Sequence, residues 1–263
     1  MKKIQKNPLN KRQRDIVNYA RKDGFVTVEN LSEAFQVTHQ TIRRDLAYLS
    51  DNLYLARTHG GAFFQSGVSN VNHYSRQSIA QEEKIAIAKK VSALIPDNSS
   101  VVLNIGTTTE QVARSLLISH QGLKIITNNI NIVNIAGHSN NCEVWVAGGK
   151  LRSSDNAIVG SLASDFINNF KIDYAIVGIS AIDKDGTLLD FDHEELMVTK
   201  AIYEQSRRKI LIADANKFDR KAPYVTGHIG DIDIFVTDKM PDKNITNICK
   251  KNNVEIIISR IEN

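Results

Sequence analysis

Apolar residues along the first 64 positions recur with helical spacing and then with strand spacing. Between Arg12 and Arg21 they fall at Ile16, Val17 and Ala20, predicting a helix that stops at Asp23-Gly24. Phe25-Val26-Thr27 reads as a short extended piece. Val28 to Phe35, with Leu31, Ala34 and Phe35 on one side, reads as a second helix. The turn Gln36-Val37 then leads into a third. There Ile42, Leu46 and Leu49 form one apolar stripe, while Gln40, Arg43, Arg44 and Ala47 cluster opposite. One face packs and the other is free to read. Thr38 is a good N-cap for this helix, so its free N–H groups and positive dipole end sit where a phosphate can approach.

Helix, short strand, helix, tight turn, helix is the plan of modules whose second motif helix lies in the major groove of DNA. Thr38, His39, Gln40, Thr41, Arg43 and Arg44 are the candidate reading residues. Leu53 to Arg57 and Gly61 to Phe64 predict two strands joined through Thr58-His59-Gly60, a hairpin wing that sets Arg57 and His59 beside the backbone or minor groove. A hairpin packed on its own unit, with Arg57 merely solvated, fits the same residues.

From about Arg76 the rhythm changes to apolar strands alternating with amphipathic helices. Strands are expected at Val101–Ile105, Leu123–Thr127, Glu143–Ala147, Tyr174–Gly178, Lys209–Ala213, Ile232–Val236 and Val254–Ile258. Helices are expected at Gln81–Leu94, Thr109–Leu117, Ile130–Ala136, Leu162–Phe170, His193–Ser206 and Lys243–Asn252. This alternation indicates an α/β fold with a largely parallel, Rossmann-like sheet, and such sheets bind ligands outside the carboxyl ends of their strands. Three polar segments fall at those ends: Gly106-Thr107-Thr108-Thr109, Thr127-Asn128-Asn129, and Ala147-Gly148-Gly149-Lys150-Leu151-Arg152. The first suits an anion, with hydroxyls and backbone N–H groups around a flexible glycine. Helix capping by Thr107 and Thr108 explains it as simply, and Asn and Gly pairs also serve plain turns. Lys150 and Arg152 supply positive charge where a phosphate or carboxylate needs it.

Charge divides the chain in the same way. Residues 1–60 hold 11 Lys and Arg against 6 Asp and Glu, a net of +5; residues 61–263 hold 22 against 23, a net of −1. Phosphate neutralisation gives affinity that falls with salt, so a basic module attached to a neutral domain points to nucleic acid. Ser, Asn, Gly and His from Gln65 to Ser75 mark a linker, giving domains 1–64 and 76–263. No apolar run approaches a membrane span and the Lys-rich start lacks a signal core, so a cytoplasmic protein without a membrane partner is expected. Cys142 and Cys249 are too few and too far apart for a disulfide framework or zinc ribbon; buried free thiols are expected.

The run Ile42-Arg43-Arg44-Asp45-Leu46, followed by Arg57-Thr58-His59-Gly60-Gly61, resembles the DeoR-type winged helix-turn-helix. The remainder resembles the sensor domain of the same family, a domain akin to sugar-phosphate isomerases. Asn104-Ile105-Gly106-Thr107-Thr108, Ile126-Thr127-Asn128-Asn129, Ala147-Gly148-Gly149, Leu151-Arg152, Val177-Gly178-Ile179-Ser180 and Ala213 to Phe218 carry that resemblance. It implies that Gly106, Thr107, Thr108 and Thr109 hold an effector phosphate with Asn128, Arg152 and Lys217 nearby, and that Asp155 and Glu195 face the hydroxyl end. Arg152-Ser153-Ser154-Asp155 and Leu188 to Asp192 are nearest in wording to the glycerol 3-phosphate branch, which makes glycerol 3-phosphate the implied effector. The expected protein is a transcriptional repressor of sugar-phosphate or glycerol catabolism, a homo-oligomer (dimer or tetramer) on double-stranded operator DNA. No catalytic residue, cofactor or metal ligand is assigned.

Two positions depart from the family pattern: Asn104 stands where many members have Asp, and Thr199 where many have Lys, with Lys200 one residue later. The rival reading is a sugar-phosphate isomerase-like enzyme carrying a DNA-binding module, with Glu195, Asp214 and Lys217 as acid–base groups. The two departures remove candidate groups from that reading, which ranks second. An RNA-binding or structural role finds no aromatic stacking surface or repeat to support it.

Overall fold

The computed structural model describes residues 9–260 apart from 24, 53, 59, 64–72, 138 and 219. Two compact units emerge, residues 1–79 and 80–263. The first contains α1 (Lys11–Asp23), β1 (Phe25–Thr27), α2 (Val28–Phe35), α3 (His39–Asp51), β2 (Ala56–Thr58), β3 (Gly61–Phe63) and α4 (His73–Ser78). Thr27 and Thr38 cap α2 and α3 by accepting the N–H of Asn30 and Thr41, which satisfies orphan donors at each start. Gln36, in the left-handed region at φ 52, ends α2 and turns the chain into α3. Ile16, Val17, Ala20, Leu31, Ile42, Leu46 and Leu49 form one buried cluster with Val26, Leu55 and Ala62, so the three helical stripes meet as expected. Ala34, expected on the buried side of α2, is exposed. The expected wing is a β2–β3 hairpin, shorter than the sequence suggested, and β1 joins it on the far side of β3.

Most of the expected linker, and Phe64 before it, lies outside the described residues. Residues 73–75 form the first turn of α4, which packs against β1 within the first unit.

The second unit runs α5 (Gln81–Ser92), β4 (Ser100–Leu103), α6 (Thr107–Ser119), β5 (Leu123–Thr127), α7 (Ile130–Ala136), β6 (Cys142–Val146), β7 (Lys150–Arg152), β8 (Ala157–Val159), α8 (Ser161–Ile167) and β9 (Ile172–Gly178). It continues with β10 (Ala181–Ile182), β11 (Thr187–Asp190), α9 (His193–Gln205), β12 (Ser206–Ile212), β13 (Tyr224–His228), β14 (Ile234–Thr237), α10 (Lys243–Lys251) and β15 (Glu255–Ile258). All seven expected strands form one parallel sheet in the order β15-β14-β12-β9-β4-β5-β6. Alternate residues face opposite layers. Val101, Leu103, Ile125 and Ile176 pack with apolar residues of α5 and α6, whereas Val102, Ile126, Ala175 and Val177 pack with those of α8 and α9. The path runs one way through β4, β5 and β6 and the other way from β9 onward, so strand order reverses between β4 and β9, where such sheets open a crevice.

Two smaller assemblies had no periodic signal in the sequence: the antiparallel hairpin β7–β8 and the sheet β10-β11-β13. Their strands have two to five residues, too few for alternation to be distinguished from a turn. Cys249 is a buried free thiol pushed up to about 11 by burial, while Cys142, on the sheet edge, is only half-buried. No helix among the described residues is long and apolar enough to cross a membrane.

Candidate functional site

On α3 the polar face is open. His39, Gln40, Arg43 and Arg44 are exposed, with Thr38 exposed at the cap and Thr41 half-buried beneath it. Thr38 and Thr41 join their hydroxyls at 3.0 Å. Asp45, inside the Arg-Arg-Asp run, turns inward: it is 5% exposed and takes the Arg12 Nε–H at 2.6 Å and the Gln13 amide at 3.1 Å. A carboxylate that would repel DNA phosphate thus ties α3 to α1. On the hairpin Arg57 is exposed; His59 lies outside the described residues. Gly61 lies so close to β1 that a Cβ there would collide with the Val26 carbonyl oxygen and the Phe25 ring, which gives the second glycine of the His-Gly-Gly run a packing reason.

At the β4/β9 reversal of the second unit, Asn104 bridges the two strand ends. Its amide donates to the Gly178 carbonyl at 3.0 Å and its oxygen accepts the Gly178 N–H at 2.9 Å. An Asp here would accept the N–H but could not, when ionised, donate to the carbonyl. Gly106, at φ +152, is the N-cap of α6 and supplies no side-chain cap. Thr107 and Thr108 therefore do not cap the helix from outside; with Thr109 they form its first turn. Thr109 folds its hydroxyl back onto the carbonyls of Asn104 and Gly106, shaping the loop. The result is an uncapped, positive helix end at the strand-order reversal.

Asn128 ties the next strand end to β8. Its side-chain amide donates to the Ile158 carbonyl at 2.9 Å and its backbone carbonyl accepts the Ile158 N–H at 2.7 Å. That fixes the amide orientation and leaves the buried Asn128 Oδ1 without a hydrogen-bond partner. β8 also meets the segment between β4 and α6, since Ala157 and Val159 pack with Ile105. Glu110, buried in the first turn of α6, holds the amides of Asn129 and Asn131, and Asn131 also donates to the Asp155 carbonyl. The helix end and the hairpin are thereby two hydrogen bonds apart.

Arg152 gathers the acids at the crevice's other side. Nε and Nη2 bind Asp155 in parallel at 2.9 and 2.8 Å, Nη2 also reaches Glu195 at 2.7 Å, and Nη1 reaches Asp192 at 2.8 Å. Asp192 caps α9 and its carboxyl is held below the usual range by Arg152 and the α9 N–H groups, against the effect of burial. Glu195 is buried and pushed up to about 8, first by burial and then by Asp190, with Arg152 opposing. Arg152 is held in its charged form by these neighbours despite burial. Asp190 itself accepts the Ser180 hydroxyl at 2.9 Å. Lys150 is exposed and pairs with Glu194 at 2.9 Å. Both cations expected to attract an anion are thus engaged by acids.

Lys217 sits half-buried on a 3-10 turn capped by Asp214. Thr199 is buried in α9 whereas Lys200 is exposed, so Lys200 does not take the place of a buried lysine. Sequence reasoning passed over Glu110, Asn131 and Asp192, and also Lys84, a lysine of α5 only 3% exposed. The legible signal was the Asp192-His193-Glu194-Glu195 run, an N-cap followed by first-turn acids. A groove of about 520 Å³ lies at the opposite, amino ends of β4, β5, β6 and β9. Its charged groups are taken up locally, Lys124 with Glu143 and Asp173 with Ser100. Among the described residues no cluster of His, Cys, Asp or Glu is arranged to hold a metal ion.

Comparison with known proteins places both units. Residues 12–67 match the DeoR-like helix-turn-helix domain and residues 79–239 the DeoR C terminal sensor domain. The glycerol-3-phosphate regulon repressor of Escherichia coli (strain K12) is 39% identical over 93% of this chain and 97% of its own. The repressor of the same name from Haemophilus influenzae is 38% identical, with 94% and 96% covered. The HTH-type transcriptional repressor CsqR of Escherichia coli is 37% identical over 89% and 90%. Among solved structures, a ribose 5-phosphate isomerase from Plasmodium falciparum matches 54% of each chain with a TM-score of 0.40 and 18% identity.

Proposed function

This chain belongs to the DeoR family of transcriptional regulators, and from that membership we propose that it represses genes of glycerol or sugar-phosphate catabolism and leaves its operator when a phosphorylated metabolite, glycerol 3-phosphate, binds the second unit. It is a regulator rather than an enzyme. The observation that carries the effector reading is the uncapped start of α6 after Gly106, set where the strand order reverses. Thr107, Thr108 and Thr109 would surround the phosphate with Lys217 nearby, Asn128 would offer its unpartnered oxygen to a hydroxyl, and Asp155 and Glu195 would face the polyol. The names of the two glycerol-3-phosphate regulon repressors support the choice of effector.

In the first unit, Thr38, His39, Gln40, Thr41, Arg43 and Arg44 would enter the major groove, with Arg57 and His59 on the flanking backbone. One such module makes few base contacts, so a homo-oligomer spanning two half-sites supplies the specificity. Ligand shifts operator binding only by its differential affinity for the free and bound forms, and operator must weaken ligand binding by the same factor. The test is binding of operator fragments by the purified protein, titrated in parallel with glycerol 3-phosphate, fructose 1-phosphate and deoxyribose 5-phosphate. Release by glycerol 3-phosphate alone is expected. Release by another ester discards this effector, and equal ester affinity with and without operator discards the coupling.

A further inference from the structure

Arg152 makes ion pairs with Asp155, Asp192 and Glu195 together. We propose that Arg152 is a positioning residue of the effector site, gathering these three carboxyl groups into one wall that reads the hydroxyls of the ligand, and that it does not hold the ligand's phosphate. This role rests on the effector reading of the crevice given above.

A guanidinium has five N–H donors in a fixed plane. Three are engaged in hydrogen bonds, Nε and one Nη2 hydrogen by Asp155 and the other Nη2 hydrogen by Glu195, while Nη1 makes an ion pair with Asp192 at 2.8 Å. A phosphate brought to Nη1 would lie against the carboxyl groups already gathered around that positive charge. Repulsion from Asp155 and Asp192 would oppose it, strongly so at Asp155, which is shielded from water. Hydroxyl groups suit the place, because carboxylate oxygens accept hydrogen bonds from them and a fixed carboxylate discriminates a polyol from its deoxy analogue. The three acids come from two separate segments: Asp155 follows β7, while Asp192 and Glu195 open α9. Without a shared counter-ion they would repel one another. A planar, bidentate fork holds them in one geometry, which a lysine point charge would not reproduce.

The test is calorimetric binding of phosphate esters to the full chain. Propyl phosphate, which has the phosphate but no hydroxyls, is compared with glycerol 3-phosphate, fructose 1-phosphate and deoxyribose 5-phosphate. The wild type should bind one hydroxylated ester at least about tenfold more tightly than propyl phosphate, a difference of about 1.4 kcal/mol. Arg152→Lys should erase most of that preference while propyl phosphate affinity stays within about threefold. Asp192→Asn keeps a good N-cap on α9 but removes one partner of Arg152, and should reduce the preference too, even if Arg152→Lys fails to fold. Parallel loss of propyl phosphate and the preferred ester in Arg152→Lys would show that Arg152 holds the phosphate and overturn the role. An unchanged preference in either folded variant would also overturn it. Gly106→Val separates the two readings: it should weaken every ester, and a variant that binds all of them normally removes the phosphate loop, whatever Arg152 does. Absence of ester binding by the wild type would overturn both.

Discussion

The reading face of α3 and the crevice of the second unit are built from the same kinds of residue, yet they use charge in opposite ways. On α3 the cations Arg43 and Arg44 stand exposed, while the acid of the same run, Asp45, is buried against Arg12 and Gln13. In the crevice the cation is inside: Arg152 is enclosed by Asp155, Asp192 and Glu195. The first arrangement presents positive charge to a polyanion of great length, where each neutralised phosphate adds affinity. The second uses positive charge to hold three acids together. An arginine in a candidate site is therefore informative only once its own partners are known.

The comparison breaks most severely at Gly61. Gly61→Val places branched carbon against the Val26 carbonyl oxygen and the Phe25 ring, and relief requires β1 and β3 to separate. A cost above about 3 kcal/mol is expected, with operator binding lost in electrophoretic or anisotropy assays. Ester binding by the second unit should survive. If it is lost together with operator binding, the two units do not fold independently and contrasting them site by site is unsound.

Glu195 gives the next effect, and its sign is opposite to that of a typical salt-bridged acid. Its folded carboxyl is raised to about 8 by burial and Asp190, so between the unfolded value and that point the folded state binds more protons than the unfolded chain. Stability should then fall as pH rises from about 5 to 8, at up to about 1.4 kcal/mol per pH unit. Glu195→Gln should flatten that part of the thermal-melting profile. Asp192, held low by Arg152 and the α9 N–H groups, acts oppositely, its contribution being lost as pH falls through its folded value. A profile identical in wild type and Glu195→Gln would mean that Arg152 keeps Glu195 ionised, making the cluster a plain ion-pair network.

How far the sequence reveals each region follows from distance along the chain. The reading face lies in seven consecutive residues, and its helical stripe of Ile42, Leu46 and Leu49 is buried as its periodicity required. All seven parallel strands were legible because each carries a cluster of apolar residues within its four to seven positions. The crevice was legible only as a set of strand ends. Asn104 looked like a weakened Asp, yet it is the residue type that can satisfy both backbone groups of Gly178. Glu110 was passed over, because the two asparagines it orders lie 19 and 21 residues away. Pairings of that range arise from the parallel crossover, which no local pattern encodes.

Arg43→Ala and Arg44→Ala sharpen the contrast from the exposed side. Each should cost about 1–3 kcal/mol of operator binding if the arginine reads a guanine, with relaxed preference at one position. If it binds phosphate instead, the loss is uniform across sequences and the salt dependence of binding becomes shallower by about one ion. Neither change should move the melting temperature of the first unit appreciably, because both side chains are exposed. A marked loss of stability would mean that these arginines support the fold in the way that Arg12 does through Asp45.

The smallest effect belongs to Lys150, and it decides where the crevice ends. Lys150 stands two residues before Arg152 on β7, so the two side chains leave the same face of the strand, with Leu151 on the other. Its pair with Glu194 has side chains 68% and 41% exposed. Such pairs are screened by water and contribute about 0–1 kcal/mol. Lys150→Ala should therefore shift the melting temperature by no more than a degree or two, as roughly 0.5 kcal/mol does in a domain of this size, and should leave ester affinity unchanged. A severalfold weakening of propyl phosphate binding would instead make Lys150 a phosphate partner. The site would then reach the exposed rim of β7, and the second unit would resemble α3 after all, offering a solvent-facing cation to an anion beside a half-buried cation that holds its acids in place.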